Sequence, residues 1–310
     1  METNMTSVNF RPRRLGHVNL WVSDLEKSID FYQSVCGIEL VRRERAIAIA
    51  FHSNGNTHHD VGMVETSRGK DRFGRNGLLQ IPKSRGLEPG LNHLGWEMST
   101  ETELVAAIER AKAAEFPLTK MVDHLISRSV YVNDPDGNGH EFYADQMRDW
   151  ERIYNLDHED EVTADWDPLA QPASAAHNYN ETFKVRRVDA APLHPSHLTG
   201  SRFSTRRFGP MVDFFVSVAG LRQIDEKKSG GRRQVRLAGA TGRPDITLSE
   251  AGDNEPVGLR SFLFQLAEPQ DLRAIAQQLG TRQIEAWMSE GALCVKDPDG
   301  FQIEFHQHDA

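Results

Sequence analysis

Three side chains that commonly ligate metals stand at related positions in the first half of the chain. His17 and His93 each lie two or three residues into a segment that opens a repeated unit, and each faces away from the apolar residues of that segment. Glu141 follows a tight turn, Asp134-Pro-Asp-Gly137. Two imidazoles and one carboxylate leave open coordination positions on a metal ion, as in the facial triad of non-haem Fe(II) oxygenases. If the three segments pair side by side, we expect one metal site there.

The same turn predicts which side chain lies opposite Glu141. A hairpin centred on the turn pairs Tyr131 with Glu141, and directly opposed side chains have Cβ atoms about 5 Å apart. A phenol and a carboxylate would therefore share one face of the hairpin. The second half contains an equivalent turn, Asp297-Pro-Asp-Gly300, which pairs Cys294 with Glu304 and so retains the carboxylate without the phenol.

An internal repeat sets the architecture that must position these residues. The two turns are 163 residues apart, and in each half an early helix carries an aromatic pair six residues before a glycine, at Gly37 and Gly220. Each half contains the order strand, helix and further strands twice, which makes four βαβββ modules. We predict an α+β fold with two domains, each built from paired βαβββ modules.

The opening of each module carries ordinary strand and helix signals. Alternation over Leu15–Val22 predicts a half-buried strand. Capping boxes at Ser23 with Glu26 and at Thr100 with Glu103 predict the starts of the first two helices. Further strands are predicted at 38–44, 46–52, 59–65, 91–98, 128–133, 139–144, 198–204, 234–237, 246–250 and 259–266, with later helices at 210–219 and 269–279.

The domain boundaries follow from this repeat and from composition. Between the halves, residues 145–195 are rich in Asp, Ala, Pro and Asn and have little periodicity, which predicts a long surface connection. We assign residues 1–147 to a catalytic metal-binding domain, 148–194 to the connector and 195–310 to a degenerate second domain.

Composition excludes several functions. The chain has 310 residues, 38% of them hydrophobic, which suffices for two cores, and its net charge of -9 provides no basic field for nucleic acid. Its longest apolar stretches, such as Phe214–Leu221, are far shorter than a membrane span. Cys36 and Cys294 are too few for a disulfide framework. We expect a cytoplasmic protein with no nucleic-acid or membrane partner.

Three motifs resemble a known family. Leu15-Gly-His-Val-Asn-Leu-Trp-Val22 looks like the opening of a module of the vicinal oxygen chelate superfamily. His58-His59-Asp60-Val61-Gly62 and the segment from Asp123 to Tyr131, which leads into the turn and Glu141, are similar to motifs of its extradiol, catechol 2,3-dioxygenase-like ring-cleavage enzymes. The resemblance covers nearly the whole chain at the level of modules, but the specific motifs lie in the first half.

The resemblance implies an Fe(II)-dependent dioxygenase that opens a catecholic ring beside its hydroxyls with O2. It implies acid–base catalysis by His59, an active-site tyrosine at Tyr131, a supporting histidine at His124 and a glutamate ligand at Glu141. The ligand set of His17, His93 and Glu141 also suits Mn(II). The superfamily further implies a homo-oligomer.

The second half departs from the pattern, because the positions equivalent to the three ligands are Gly200, Ser261 and Glu304. One carboxylate cannot hold a metal alone, so we expect a single site in the first half. The segment Ser67–Pro89 is longer than the resemblance leads us to expect, and its charge predicts an exposed lid or substrate loop.

Two other functions stay open. A glyoxalase-type metal-dependent isomerase or lyase would need a fourth protein ligand, for which Asp60 or Glu65 is available, but it leaves the acid–base histidine and the tyrosine without a role. A metal-free small-molecule binding protein on the same fold does not account for a complete ligand set in one half only.

Other conspicuous residues have simpler interpretations. His52, His58 and His140 are predicted to be surface or supporting residues, and Trp21 is predicted to be a packing residue.

Overall fold

The computed structural model describes residues 8–156 and 164–307, and within them the chain has the predicted α+β fold of four βαβββ modules. Each half contains one mixed sheet formed by two modules. The predicted domain ranges also include residues 1–7, 157–163 and 308–310, which lie outside the described residues. None of the described helices is long and apolar enough to span a membrane.

The first half begins with a module followed by a small hairpin. Its elements are β1 (Arg14–Val22), α1 (Leu25–Ser34), β2 (Glu39–Glu44), β3 (Ile49–Ser53), β4 (Val61–Glu65), β5 (Arg72–Phe73) and β6 (Leu79–Ile81). The second module and one short strand of the connector follow. They are β7 (Gly90–Glu97), α2 (Glu101–Ala113), β8 (Lys120–Asp123), β9 (Ser127–Asn133), β10 (Gly139–Asp145) and β11 (Ala164–Asp165). Short 3-10 helices occupy Arg45–Ile47 and Trp150–Arg152.

The second half repeats the plan. Its elements are β12 (Pro195–Thr205), α3 (Phe208–Asp213) continued by a π-helical segment (Phe214–Val218), β13 (Arg222–Ser229), β14 (Arg232–Ala238), β15 (Pro244–Glu250), β16 (Gly258–Leu266), α4 (Leu272–Thr281), β17 (Ala286–Ser289), β18 (Ala292–Lys296) and β19 (Gln302–His306). Among the described residues the strand order is β13-β14-β15-β12-β16-β19-β18-β17.

The two modules of each sheet join through their opening strands. In the first sheet the order is β11-β8-β9-β10-β7-β1-β4-β3-β2, with β1 antiparallel to β7. Within each module the opening and closing strands are parallel, as β1 is to β4 and β7 is to β10. This topology places β10, β7, β1 and β4 beside one another at the middle of the sheet.

The hairpin registers predicted from the two turns are confirmed. Tyr131 pairs with Glu141, and Cys294 pairs with Glu304. A turn of fixed length fixes the register of the strands that it connects, which is why this detail could be read from sequence.

One predicted helix cap is confirmed and one is wrong. The Thr100 side chain accepts a hydrogen bond from the Glu103 amide at 3.1 Å. At the first helix the cap is Asp24, whose carboxylate accepts from the Lys27 amide at 3.1 Å, and not Ser23. The helix begins at Leu25, so Asp24 is the residue whose side chain reaches the free amides of the first turn.

Six strands were not predicted: β8, β13 and β17 of the modules, and the short strands β5, β6 and β11. β13 has the sequence RQIDEKKS and offers no apolar alternation. It is held instead by backbone pairing with β14 and by an ion pair between Asp225 and Arg236. An edge strand with a solvated face needs no hydrophobic pattern, so periodicity alone does not detect it.

Two buried aspartates connect the halves reciprocally. Asp60 accepts a hydrogen bond from the Leu198 amide at 3.2 Å, and Asp245 accepts one from the Leu15 amide at 2.8 Å. Burial raises the pKa of each carboxyl to about 6, against the backbone hydrogen bonds that lower it. Each half therefore binds the opening strand of the other, and one continuous hydrophobic core extends through both.

The three histidines assigned to supporting or surface positions are all buried, so the surface alternative is wrong. His140 lies 3.2 Å from the Asp134 carboxylate and accepts a hydrogen bond from the Trp96 indole at 3.0 Å. His58 lies 3.2 Å from the Asp145 carboxylate. His52 and His140 lie on the buried strands β3 and β10, and His58 lies in the buried connection between β3 and β4.

His52 makes the stability of the fold depend on pH. It is fully buried beside Tyr32, and burial lowers its pKa to about 3. The unfolded chain takes up this proton near pH 6.5 and the folded chain does not, so its contribution to stability is complete above pH 6.5 and is lost as the pH falls toward 3.

We expect His52→Leu to remove this dependence. The difference in unfolding free energy between the parent protein and the variant should change by about 1.4 kcal/mol per pH unit between pH 6 and pH 4. Urea unfolding at several pH values measures it. His177→Leu, at an exposed position, is the control. A constant difference for H52L across this range would contradict the assignment.

Candidate active site

Six side chains that could bind a metal or transfer a proton lie on or next to six adjacent strands of the first sheet, and they meet on one face. In strand order they are His124 in the turn between β8 and β9, Tyr131 on β9, Glu141 on β10, His93 on β7, His17 on β1 and His59 just before β4. All six line the same cavity or the cluster at its base. The structure thus brings together every site residue predicted from the sequence.

His17, His93 and Glu141 form the tightest group. The two Nε2 atoms are 3.3 Å apart, and each is 3.0 Å from Oε2 of Glu141. All three side chains are buried. Donor atoms that converge so closely away from water need a shared proton or a shared cation between them.

The electrostatics of the group favour a carboxylate at Glu141 and a neutral imidazole at His17. Burial raises the pKa of Glu141, but hydrogen bonds from His17 and His93 outweigh it and hold the pKa well below its ordinary value. Burial lowers the pKa of His17 to about 4. A carboxylate and unprotonated imidazoles are the forms that ligate metals.

The group fits a divalent metal ion. Ligand atoms about 2.1 Å from a metal and 90° apart are separated by about 3.0 Å, close to the three observed distances. The Nδ1 atom of His93 lies 3.2 Å from the side-chain oxygen of Asn92, which orients the ring as a metal ligand requires. A second group, of His17, His58 and His59, has donor atoms within 4.8 Å of one another. It shares His17 and contains no carboxylate.

Gly95 makes room for the first group. It pairs with His17 on one side and with Glu141 on the other. A Cβ atom at this position would overlap the ring of His17. The lack of a side chain at Gly95 is therefore a condition for the ring to lie where it does.

We expect Gly95→Ala to displace the His17 ring and to weaken the affinity for a divalent metal ion about 10- to 100-fold, as changes around metal ligands do. Metal analysis after anaerobic reconstitution measures this. Gly90→Ala is the matched control, because the same strand has open space there. If G95A, shown by circular dichroism to be folded, retains the metal affinity of the parent, the His17 ring is not a ligand.

The ring of His59 lies against the first group, and its nitrogens make no hydrogen bond within the described residues. Its centroid is 4.1 Å from that of His17, and both of its nitrogens are buried without a hydrogen-bond partner among the described residues. Burial, reinforced by neighbouring His17, lowers its pKa well below the ordinary value. A neutral, unpartnered imidazole beside a metal-binding group is available to accept a proton from a ligand in the cavity.

Tyr131 and His124 stand on the other side of Glu141. Nε2 of His124 is 3.3 Å from the Tyr131 hydroxyl and 3.8 Å from Oε1 of Glu141. Burial and the nearby Glu141 raise the pKa of Tyr131 well above its ordinary value. The hydroxyl therefore keeps its proton and acts as a hydrogen-bond donor.

Neither residue considered as a fourth ligand is in the group. The Asp60 carboxylate accepts backbone hydrogen bonds from Asn54 and Leu198. Glu65 lies 3.4 Å from the Leu25 amide and 3.4 Å from Arg68. Both carboxylates are committed elsewhere, and no group that could hold a metal among the described residues includes them.

The cavity wall includes residues that the sequence analysis missed. Trp21, predicted to pack, lines the cavity together with Ile47, Val64 and Ile81. Tyr154, from the predicted connector, also lines it and stacks 6.3 Å from His59. His17, Asn19 and Trp21 occupy alternate positions of β1 and therefore share one face of the strand. This spacing was the sequence signal that could have placed Trp21 in the cavity wall.

The equivalent place in the second half holds an arginine. The Nε atom of Arg202 donates to Glu304 at 3.0 to 3.1 Å, and the Ser261 hydroxyl also donates to it. Burial raises the pKa of Glu304, but hydrogen bonds from His306, Ser261 and Arg202 lower it to about 2. A guanidinium thus neutralises the carboxylate that remains after the loss of two histidines. Within the described residues, the groups able to hold a metal lie in the first half.

Comparison with known proteins identifies a superfamily for most of the first half. Residues 14–142 match the model of the Glyoxalase/Bleomycin resistance protein/Dioxygenase superfamily. This segment belongs to that superfamily. The resemblance predicted from the sequence is thereby confirmed.

Relatives extend the similarity to the whole chain. A catechol-2,3-dioxygenase of Bacillus subtilis (strain 168) is 25% identical over 97% of this chain and 99% of its own length. Among solved structures, BphC, a halotolerant catechol dioxygenase, superposes with a TM-score of 0.64 at 12% identity, over 97% of this chain and 88% of its own. The Mn(II)-bound glyoxalase from Novosphingobium aromaticivorans has a TM-score of 0.61 at 14% identity, over 96% and 82%.

Proposed function

We propose that the protein is an Fe(II)-dependent extradiol dioxygenase that opens a catecholic ring with O2 beside its hydroxyls. Three donor atoms 3.0 to 3.3 Å apart, at the base of a cavity lined by an unpartnered histidine, carry this proposal. The similarity to a catechol-2,3-dioxygenase along 97% of the chain supports it.

His17, His93 and Glu141 would hold the metal. Fe(II) bound by this facial set would supply adjacent positions for both catechol oxygens and for O2, together with the redox chemistry that activates O2. The same donors suit Mn(II). The chain's own contribution is to fix the two imidazoles and the carboxylate and to keep bulk water away from them.

His59 would transfer a proton between the substrate and the product. Its free ring nitrogens can accept a proton from a catechol hydroxyl and return it to an oxygen of the opened product, so that no proton is lost or gained. Phe51 and Tyr154 pack around the ring, with centroids 4.7 and 6.3 Å away, and hold its plane.

Tyr131 and His124 would orient the substrate. Their contact at 3.3 Å places a hydroxyl donor and an imidazole on the side of Glu141 away from His59. Burial lowers the pKa of His124 to about 4, so the imidazole is neutral at pH 7. Substrate oxygens would then lie between a proton acceptor and hydrogen-bond donors on opposite sides.

A glyoxalase-type isomerase is the second candidate, because a Mn(II)-bound glyoxalase has the same fold. The commitment of Asp60 and Glu65 to backbone and arginine partners argues against it, since that chemistry would use a fourth protein ligand. A metal-free binding protein is the third candidate.

One experiment separates the three. Protein reconstituted anaerobically with Fe(II) should bind about one iron per chain and consume O2 with catechols to give yellow ring-opened products. Iron binding and O2 uptake should be lost in Glu141→Gln and in His17→Ala. Glu304→Gln, the equivalent change in the second half, should leave both unchanged. Absence of iron and of O2 uptake would overturn the proposal, and glyoxalase activity would favour the isomerase.

We expect His59→Phe to lower kcat about 10²- to 10⁴-fold, the usual contribution of a positioned proton acceptor, while iron stays bound. Metal analysis and O2 uptake of the same preparation measure both quantities. Loss of iron together with activity in H59F would instead assign His59 to the metal group with His17 and His58.

The domain boundaries at 147 and 195, the cytoplasmic location and the homo-oligomeric state stay predictions. The placement of Tyr154 in the cavity wall argues that the first part of the connector works with the catalytic domain.

A further inference from the structure

The cavity that contains the metal-binding group has a cationic rim formed by two exposed basic side chains. Lys120 and Arg85 both line it, one from β8 and one from the segment after β6. The same cavity wall includes the apolar side chains of Trp21 and Ile81. A ring lying in this cavity would thus have its hydroxyl end and its substituent end in different environments.

Lys120 is fixed beside the catalytic face. It pairs with Tyr131 across β8 and β9, and its Nζ atom lies 4.5 Å from the centre of the Tyr131 ring. The side chain keeps contact with solvent at the rim. Loss of hydration lowers the pKa of Lys120, and the positive charge of Arg85 lowers it further. The negative charges of Glu141 and Asp165 act in the opposite direction. Lys120 and Arg85 thus place two like charges on the wall of one cavity.

Arg85 lies in a segment that hydrogen bonds attach to the first module. The Ser67–Pro89 segment, predicted to be an exposed lid or substrate loop, is tied to the first module by Arg72, which donates to the carbonyls of Ile47, Glu65 and Thr66 at 2.5 to 3.2 Å. Next to Arg85, Gly86 packs on the Trp21 ring, and its carbonyl accepts from the Ser67 amide at 2.8 Å. These contacts fix the part of the segment that carries Arg85.

Neither cation has a carboxylate within 4.0 Å among the described residues. The carboxylates that line the cavity have other partners, as Glu44 pairs with Arg42 and Glu141 lies between the two ligand histidines. Two neighbouring cations without a counterion on a cavity wall provide a site for an anion.

We propose that Lys120 and Arg85 bind a carboxylate on the substrate, so that the preferred substrates are catechols with an anionic side chain. The ring-cleavage part of this statement rests on the proposed function, whereas the anion site does not. The carboxylate would lie at the rim, and the hydroxyls would lie at the metal-binding base.

The test compares an acid with its neutral ester. The purified full-length protein is titrated anaerobically by calorimetry with 3-(3,4-dihydroxyphenyl)propionate and with its methyl ester, and the iron-loaded protein is assayed with both for O2 uptake. We expect kcat/KM and affinity to favour the acid about tenfold or more. Lys120→Gln and Arg85→Gln should each reduce this preference several-fold without changing the constants for the ester more than about twofold.

Lys83→Gln is the matched control, because Lys83 lies in the same segment as Arg85 but does not line the cavity. It should leave the preference unchanged. Equal affinity for acid and ester, or an equal loss for both in K120Q and R85Q, would overturn the anion site. If neither compound is turned over but the acid still binds more tightly and loses this advantage in the two variants, the anion site stands and the proposed function fails.

Discussion

The candidate active site depends on bringing two imidazoles and a carboxylate to within hydrogen-bond distance of one another inside the protein. Burying such groups costs free energy unless each is paired, so their backbone positions must be held closely. The junction of the two modules does this, because β1, β7 and β10 are adjacent and hydrogen-bonded. Gly95 then lets the His17 ring lie over the neighbouring strand.

The second half shows what the same scaffold does without this group. It keeps the strand order and the hairpin that carries Glu304, but a guanidinium from Arg202 occupies the neighbourhood of the carboxylate. The half still supports the first through the reciprocal bonds of Asp60 and Asp245. The two halves thus share the architecture, which depends on backbone pairing and the core, while their side chains at the equivalent sites differ.

Prediction from sequence succeeded where the signal was local or repeated. The turn before Glu141 determined the pairing with Tyr131, and the internal repeat predicted four modules. It failed where stability came from neighbours distant in sequence. β13 is polar and is recognisable only through its pairing with β14. The predicted cap at Ser23 was wrong by one residue, because the helix begins at Leu25 and is capped by Asp24.

The sequence by itself determined the modules, the hairpin registers and the residue types available for metal binding and proton transfer, because each of these depends on short-range pattern or on repetition. Only the tertiary structure decided the distances within the metal-binding group and which residues complete the cavity. Lys120, Arg85 and Tyr154 come from three separate segments, and no local rule relates them. The packing of strands and of the connector brings them to one wall, since contacts between distant segments depend on the folded chain as a whole.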